Sequence, residues 1–238
     1  MAQTSRNKPG VEEFGGNAAK ASSGDVAMYK MQDSFEKNKK KIIGAVVAVL
    51  LIVGAFFGYK YFIQQPNEEK GLRAIAKVQD WFAQDSFNLV INGDGQSMGG
   101  LSVIKKHSGT NAANLANYYV GVSYLKTGDA ANAIKYLEAY NGKGTIASEM
   151  VAGLLGDAYM DAGNVDKGIA QYKKATANEK NPTIAALYAF RAGLASERAG
   201  KLDDAKQYYR MIKEKYPFTK EAYEVDRFLA RLGELNID

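Results

Sequence analysis

Residues 42–59 read IIGAVVAVLLIVGAFFGY, eighteen consecutive positions without a charge. At a helical rise of 1.5 Å per residue the run covers about 27 Å, close to the roughly 30 Å hydrocarbon core of a bilayer. The sequence therefore predicts a single transmembrane helix over residues 42–63, with Tyr59, Tyr61 and Phe62 at interfacial depth, where amphipathic rings prefer to sit. A cleavable signal needs a short basic leader and a small-residue exit. Here about forty residues precede the run and its exit is Phe56, Phe57, Gly58, Tyr59, Lys60, so the helix is expected to persist in the mature protein.

Charge gives this helix a direction. Lys30, Lys37, Lys39, Lys40 and Lys41 precede the span, against Lys60, Lys70 and Arg73 over a similar stretch after it. The excess of basic residues on the leading side predicts a single-pass protein with a cytoplasmic N-terminus and an extracytoplasmic remainder. Gly54 and Gly58 form a GxxxG pair, and Gly44 with Ala48 a second small-xxx-small pair. Such faces let another membrane helix pack closely, although glycine is common in membrane helices without any partner.

Ahead of the span, residues 1–25 are rich in Gly, Ser, Ala and Asn without regular apolar spacing and read as disordered. Met28, Met31 and Phe35 then recur at helical spacing up to the lysine cluster. That pattern suits a helix on the lipid surface and a frayed linker equally, so residues 1–41 as a whole read as a cytoplasmic, mostly disordered basic tail.

Beyond the span the chain is almost neutral, with 22 Lys/Arg against 21 Asp/Glu in residues 64–238. Without a basic stripe to neutralise phosphates, nucleic-acid binding is not expected. The absence of cysteine removes disulfides, thiolate metal sites and cysteine nucleophiles. His107 is the only histidine, which excludes a two-histidine metal site within one chain, and its place between a short helix and Ser108-Gly109 suits a loop or cap. The stretch NGDGQSMGG fails GxGxxG at Met98, and no GK[ST] follows, so it reads as a turn. No catalytic residue, metal site or cofactor is predicted.

From Asn111 onward the chain repeats itself. Segments starting at Asn117, Ala152 and Ala189 align so that Gly121, Gly156 and Gly193 coincide, as do Gly128, Gly163 and Gly200, and Ala133, Gly168 and Ala205. The first glycine of each unit suits a close crossing of two helices, and the second suits a left-handed helix end. Leu137, Tyr172 and Tyr209 supply bulk between hairpins. With offsets of 35 and 37 residues, the pattern resembles the tetratricopeptide-repeat (TPR) family, whose unit is 34 residues.

That resemblance implies an all-α chain: a leading helix and loop cap over 64–110, three repeats over 111–217 as an α-solenoid of helix hairpins, and a C-terminal capping helix over 218–238. Amphipathic runs at 68–82 and 219–235 supply the flanking helices, with a turn at Gly93–Gly95 and a short helix over 98–106 between the first of them and the repeats. In TPR proteins the first helix of each unit lines a concave groove. The corresponding positions are Leu115, Tyr118, Val122 and Leu125, then Met150, Asp157, Met160 and Asp161, then Leu187, Phe190, Leu194 and Glu197. This face is expected to be mostly apolar and to hold an amphipathic helix or a nonpolar extended segment, unless the flanking helices already cover part of it.

An N-terminal anchor followed by a small TPR array is similar in layout to the YfgM-like ancillary subunits of the bacterial SecYEG translocon. The resemblance implies partnership with the translocon and with a PpiD-like periplasmic chaperone. The layout also leaves open an envelope scaffold for cell division or outer-membrane assembly.

Overall fold

The computed structural model describes residues 23–142, 146–177 and 181–234. They are helical almost throughout, and the only bridge outside helices among them is an isolated antiparallel one between Gly93 and Met98. The chain divides into two compact units, Met1–Tyr61 and Phe62–Asp238.

Among its described residues the first unit holds one helix, α1, Ser23–Tyr59, long and apolar enough to cross a membrane. Its side chains in the apolar run are exposed, as expected of a surface whose solvent is lipid. An added Cβ at Gly44, Gly54 or Gly58 meets nothing within 4 Å, and Ala48 is exposed beside them. Where the spacing of Met28, Met31 and Phe35 suited a helix and a frayed linker equally, the described chain takes the helix, which begins at Ser23. Residues 23–41 are helical, because Ala, Met, Lys and Glu are good helix formers and no proline or glycine interrupts the stretch after Gly24. The expectation for residues 1–22 falls outside the described residues.

A π-helical turn, Lys60–Gln64, follows in the chain. The second unit then contains α2, Gln65–Ala83; α3, Phe87–Asn92; α4, Gly100–Lys106; α5, Asn111–Lys126; α6, Ala130–Ala139; α7, Ile146–Asp161; α8, Val165–Ala175; α9, Pro182–Arg198; α10, Leu202–Lys215; and α11, Lys220–Arg231. Helices α5–α6, α7–α8 and α9–α10 pair as three hairpins, each closed by a three-residue turn. Thr110, Asp129 and Asn181 cap α5, α6 and α9 by accepting from the backbone N–H three residues on.

Each hairpin turn passes through a glycine at positive φ: Gly128 at 83°, Gly163 at 75° and Gly200 at 71°. The next residue donates its N–H back to the carbonyl five positions earlier, at 2.8–2.9 Å, which closes the helix end. Inside the hairpins the other glycines that recur in register are crossing points. A Cβ on Gly156 would lie 2.4 Å from the Tyr172 ring, one on Gly193 2.4 Å from Tyr209, and one on Gly121 2.8 Å from Leu137.

The flanks use the same turn. After α2, Ser86 donates to Trp81 O at 2.9 Å with Asp85 at φ 53°, and after α11, Glu234 donates to Leu229 O at 2.9 Å with Gly233 at φ 81°. The leading helix thus ends as a repeat helix does, with an aspartate where the repeats have glycine. Asp85→Gly is expected to raise stability by roughly 1 kcal/mol, the ordinary cost of a left-handed L-residue. Urea unfolding checks it, the midpoint moving up at constant slope; an unchanged midpoint would show that the aspartate already relieves the strain locally.

The leading segment also differs from its expected form. Residues 87–92, read as part of a loop, form α3, with Val90 and Ile91 buried, and the next helix begins at Gly100 rather than at residue 98. Gly99 and Gly100 press so closely on Asn92, Gly93 and Val120 that side chains there have no room. Helix α2 is latched to α5 by its first turn. The Glu68 carboxylate accepts from Asn111 N at 2.8 Å and Ala112 N at 3.2 Å, an anion on a helix N-terminus supplied from another helix. His107, the residue at the C-terminal end of α4, is buried beside it with Nδ1 2.7 Å from Asn67 Oδ1.

Candidate functional site

The open concave surface is narrower than the repeat register alone suggests. Two of its expected thirds are occupied by the chain's own flanking helices. Leu115 packs on the cluster built by Ile75, Val78 and Trp81 of α2, and Tyr118 packs with Phe82 around Val122. Val122 is 5 % exposed and belongs to the core, which corrects its placement on the groove: the side chain points at Leu137, Val151 and Leu155 between hairpins. At the other end Phe190 sits 5.1 Å, centroid to centroid, from Phe228 of α11, and Glu197 accepts from Tyr209 Oη and from Arg231 Nη2.

What stays open is a cleft of about 570 Å³ between the first helices of the second and third hairpins, reaching the end of α5. Of the residues expected from the sequence, Leu125, Asp157, Met160, Asp161 and Leu194 line it. Leu187 is half-buried outside this lining, and Met150 is exposed with its carbonyl accepting from Tyr188 Oη at 3.5 Å.

The cleft is also more polar than expected. Asp157 of α7 accepts from Tyr172 Oη of α8 at 2.7 Å and from Arg191 Nη1 of α9, so one carboxylate ties three successive helices. The Arg191 guanidinium lies over the Tyr188 ring at 5.6 Å, and that ring stacks on Tyr172 with centroids 6.1 Å apart and planes 17° from parallel. Tyr188 in turn covers Gly153, where an added Cβ would fall 1.8 Å from the ring. Lys126, Arg191 and Arg198 bring positive charge to a wall expected to be apolar. The register does contain Arg191: it aligns with Leu154, which also lines the cleft, and with Tyr119. An i, i+3, i+4 selection from each first helix passes over that column because it sits on the shoulder of the groove.

Burial, and then the Asp157 carboxylate that accepts its proton, push the Tyr172 phenol well above the ordinary tyrosine range. Burial and the Glu197 carboxylate do the same to Tyr209, and burial raises Tyr188. A phenol whose folded pKa exceeds its unfolded value contributes stability that is intact below about pH 10 and declines as pH rises beyond it, since the unfolded chain ionises first. Unfolding by denaturant between pH 8 and pH 11 is therefore expected to show constant stability up to about pH 10 and a fall above it. A Tyr172→Phe chain is expected to fall less steeply.

No group of three or more metal-ligating side chains occurs among the described residues, and His107 is spent on the α2 latch, away from the cleft lining. What the cleft offers is shape: a floor of Leu125, Leu154, Met160 and Leu194 with charged residues around it. Two family models described as tetratricopeptide repeat match the chain, one over residues 154–218 and the other over 115–141. The chain carries tetratricopeptide repeats. The matched segments cover most of α5, all of α6, part of α7, and α8–α10, the helices that build the TPR cleft and its supports. No curated protein matches the chain.

Proposed function

We propose that this protein is a non-catalytic, membrane-anchored TPR scaffold whose array receives a segment of a partner protein in the cleft between its second and third hairpins. The observation that carries this reading is the cleft itself: flanking helices close both ends of the concave face, and the middle stays open, lined by Leu125, Leu154, Met160 and Leu194 together with charged side chains. A concave surface that sets apolar side chains among charged ones is suited to a peptide segment, whose apolar side chains it can bury while the charges fix register.

The more specific proposal follows the layout. A basic cytoplasmic approach, one span and an extracytoplasmic TPR array suit an ancillary subunit of the bacterial SecYEG translocon that works beside a PpiD-like periplasmic chaperone. The small-residue face at Gly44, Ala48, Gly54 and Gly58 would pack against a membrane helix of either partner, while the array engages the chaperone's periplasmic part. Purification of the full-length protein from membranes in mild detergent, with mass spectrometry of what comes with it, tests this assignment. Recovery of translocon subunits and the chaperone supports it. Their absence, with cell-division or outer-membrane-assembly proteins recovered instead, favours the envelope-scaffold alternative.

A further inference from the structure

The last residues of the three first helices carry alternating charge. Lys126 ends α5, Asp161 ends α7 and Arg198 ends α9, at equivalent register positions 35 and 37 residues apart, and all three border the cleft. All three are exposed, and none makes an ion pair among the described residues, in contrast to Asp157 and Arg191 deeper in the same cleft. Two of the signs are those a helix end favours, since cations complement the negative C-terminal dipole. Asp161 has the wrong sign for its place, so local helix stability does not account for the row.

Resting on the reading of the cleft as a protein-binding site, we infer that it selects a partner segment carrying carboxylates at its two ends, a cation between them and apolar side chains facing the floor. Lys126 and Arg198 meet the carboxylates, and Asp161 meets the cation. Helices packed side by side at the ordinary distance have axes up to about 10 Å apart. That step matches about three residues of an extended segment, and in the polyproline-type conformation, with three residues per turn at 3.1 Å each, every third side chain points the same way. The recognised pattern is thus acidic-x-x-basic-x-x-acidic with apolar residues at x. Like charges set opposite the row would be repelled, so the rim discriminates by rejection as well as attraction.

The test uses full-length protein in detergent and two fluorescein-labelled heptapeptides, Asp-Leu-Leu-Lys-Leu-Leu-Asp and Lys-Leu-Leu-Asp-Leu-Leu-Lys, titrated by fluorescence anisotropy. The wild type is expected to bind the acid-ended peptide at least tenfold more tightly. The triple variant Lys126→Glu, Asp161→Lys, Arg198→Glu is expected to reverse the preference, with an unchanged thermal midpoint because all three side chains are exposed. In both, the preference is expected to shrink between 50 mM and 500 mM salt, as screening requires. Equal affinities in the wild type, binding of neither peptide, or an unchanged preference in the variant would each overturn the charge rule. Copurification from membranes separates this result from the scaffold reading. If the wild type still brings down its partner while showing no peptide preference, the charge rule fails alone; if it brings down no partner, the scaffold reading fails.

Discussion

Replacing Gly153 with valine is expected to lower the thermal midpoint of the TPR array by roughly 10 °C. The glycine lies on α7 under the Tyr188 ring, and the first atom of any side chain would fall 1.8 Å from it. The ring cannot simply swing away, because it stacks on Tyr172, which Asp157 holds by its hydroxyl, and Arg191 lies against it. Forcing extra volume into such a site costs about 3 kcal/mol, and in a domain of this size each kcal/mol moves the midpoint by roughly 2–4 °C. Calorimetry or circular dichroism of the variant checks the drop, with Ala170→Val on the exposed face of α8 as a control expected to stay within about 0.5 kcal/mol. Pairing Gly153→Ala with Tyr188→Leu should recover part of the loss. If Gly153→Val melts like the wild type, the close approach of α7 and α9 at this point is wrong.

Placing arginines at both Leu50 and Leu51 is expected to release the protein from the membrane. Both side chains are exposed near the middle of the apolar run of α1, so neither can retreat into a protein interior. Each arginine at the centre of a membrane helix costs about 2.5–3.5 kcal/mol on insertion-based scales, and two together outweigh the modest gain of an eighteen-residue span rich in glycine and alanine. Alkaline carbonate extraction reads the outcome: wild type stays in the pellet and Leu50→Arg/Leu51→Arg moves to the supernatant. Retention of the double variant in the pellet would mean that something other than this helix holds the chain at the membrane.

Much of the architecture was legible because the repeat writes the same physical requirement three times. Gly121, Gly156 and Gly193 announce close crossings and Gly128, Gly163 and Gly200 announce left-handed helix ends, and the fold places them so. The leading segment was harder to read because its signals are degenerate. Asp85 occupies the left-handed position without being a glycine, and α3 is six residues long, too short for periodicity to show. Helix α1 starts well before the apolar run, since a lysine-rich stretch with few apolar residues carries little amphipathic signal although it has good helix propensity.

The cleft was half legible. Register pointed to Leu125, Asp157, Met160 and Leu194, which line the cleft, yet it could not show that α2 and α11 would fold over Leu115 and Phe190 at the two ends or that Val122 would pack between hairpins. That coverage depends on contacts between helices far apart in sequence, such as Phe190 with Phe228 and Phe82 with Tyr119, which no local spacing encodes. Arg191 escaped notice for a related reason: its role is set by Asp157, 34 residues away on another helix.

In the proposed topology a retained helix suspends the TPR array outside the cytoplasm. Protease added to intact spheroplasts tests that most directly, using antibodies against each end of the chain. The expected result is digestion of the part beyond Lys60, alongside a periplasm-facing control protein, with survival of a short fragment containing the N-terminal residues. A full-length chain that resists protease while the control is degraded would contradict the topology and, with it, the assignment of a periplasmic partner.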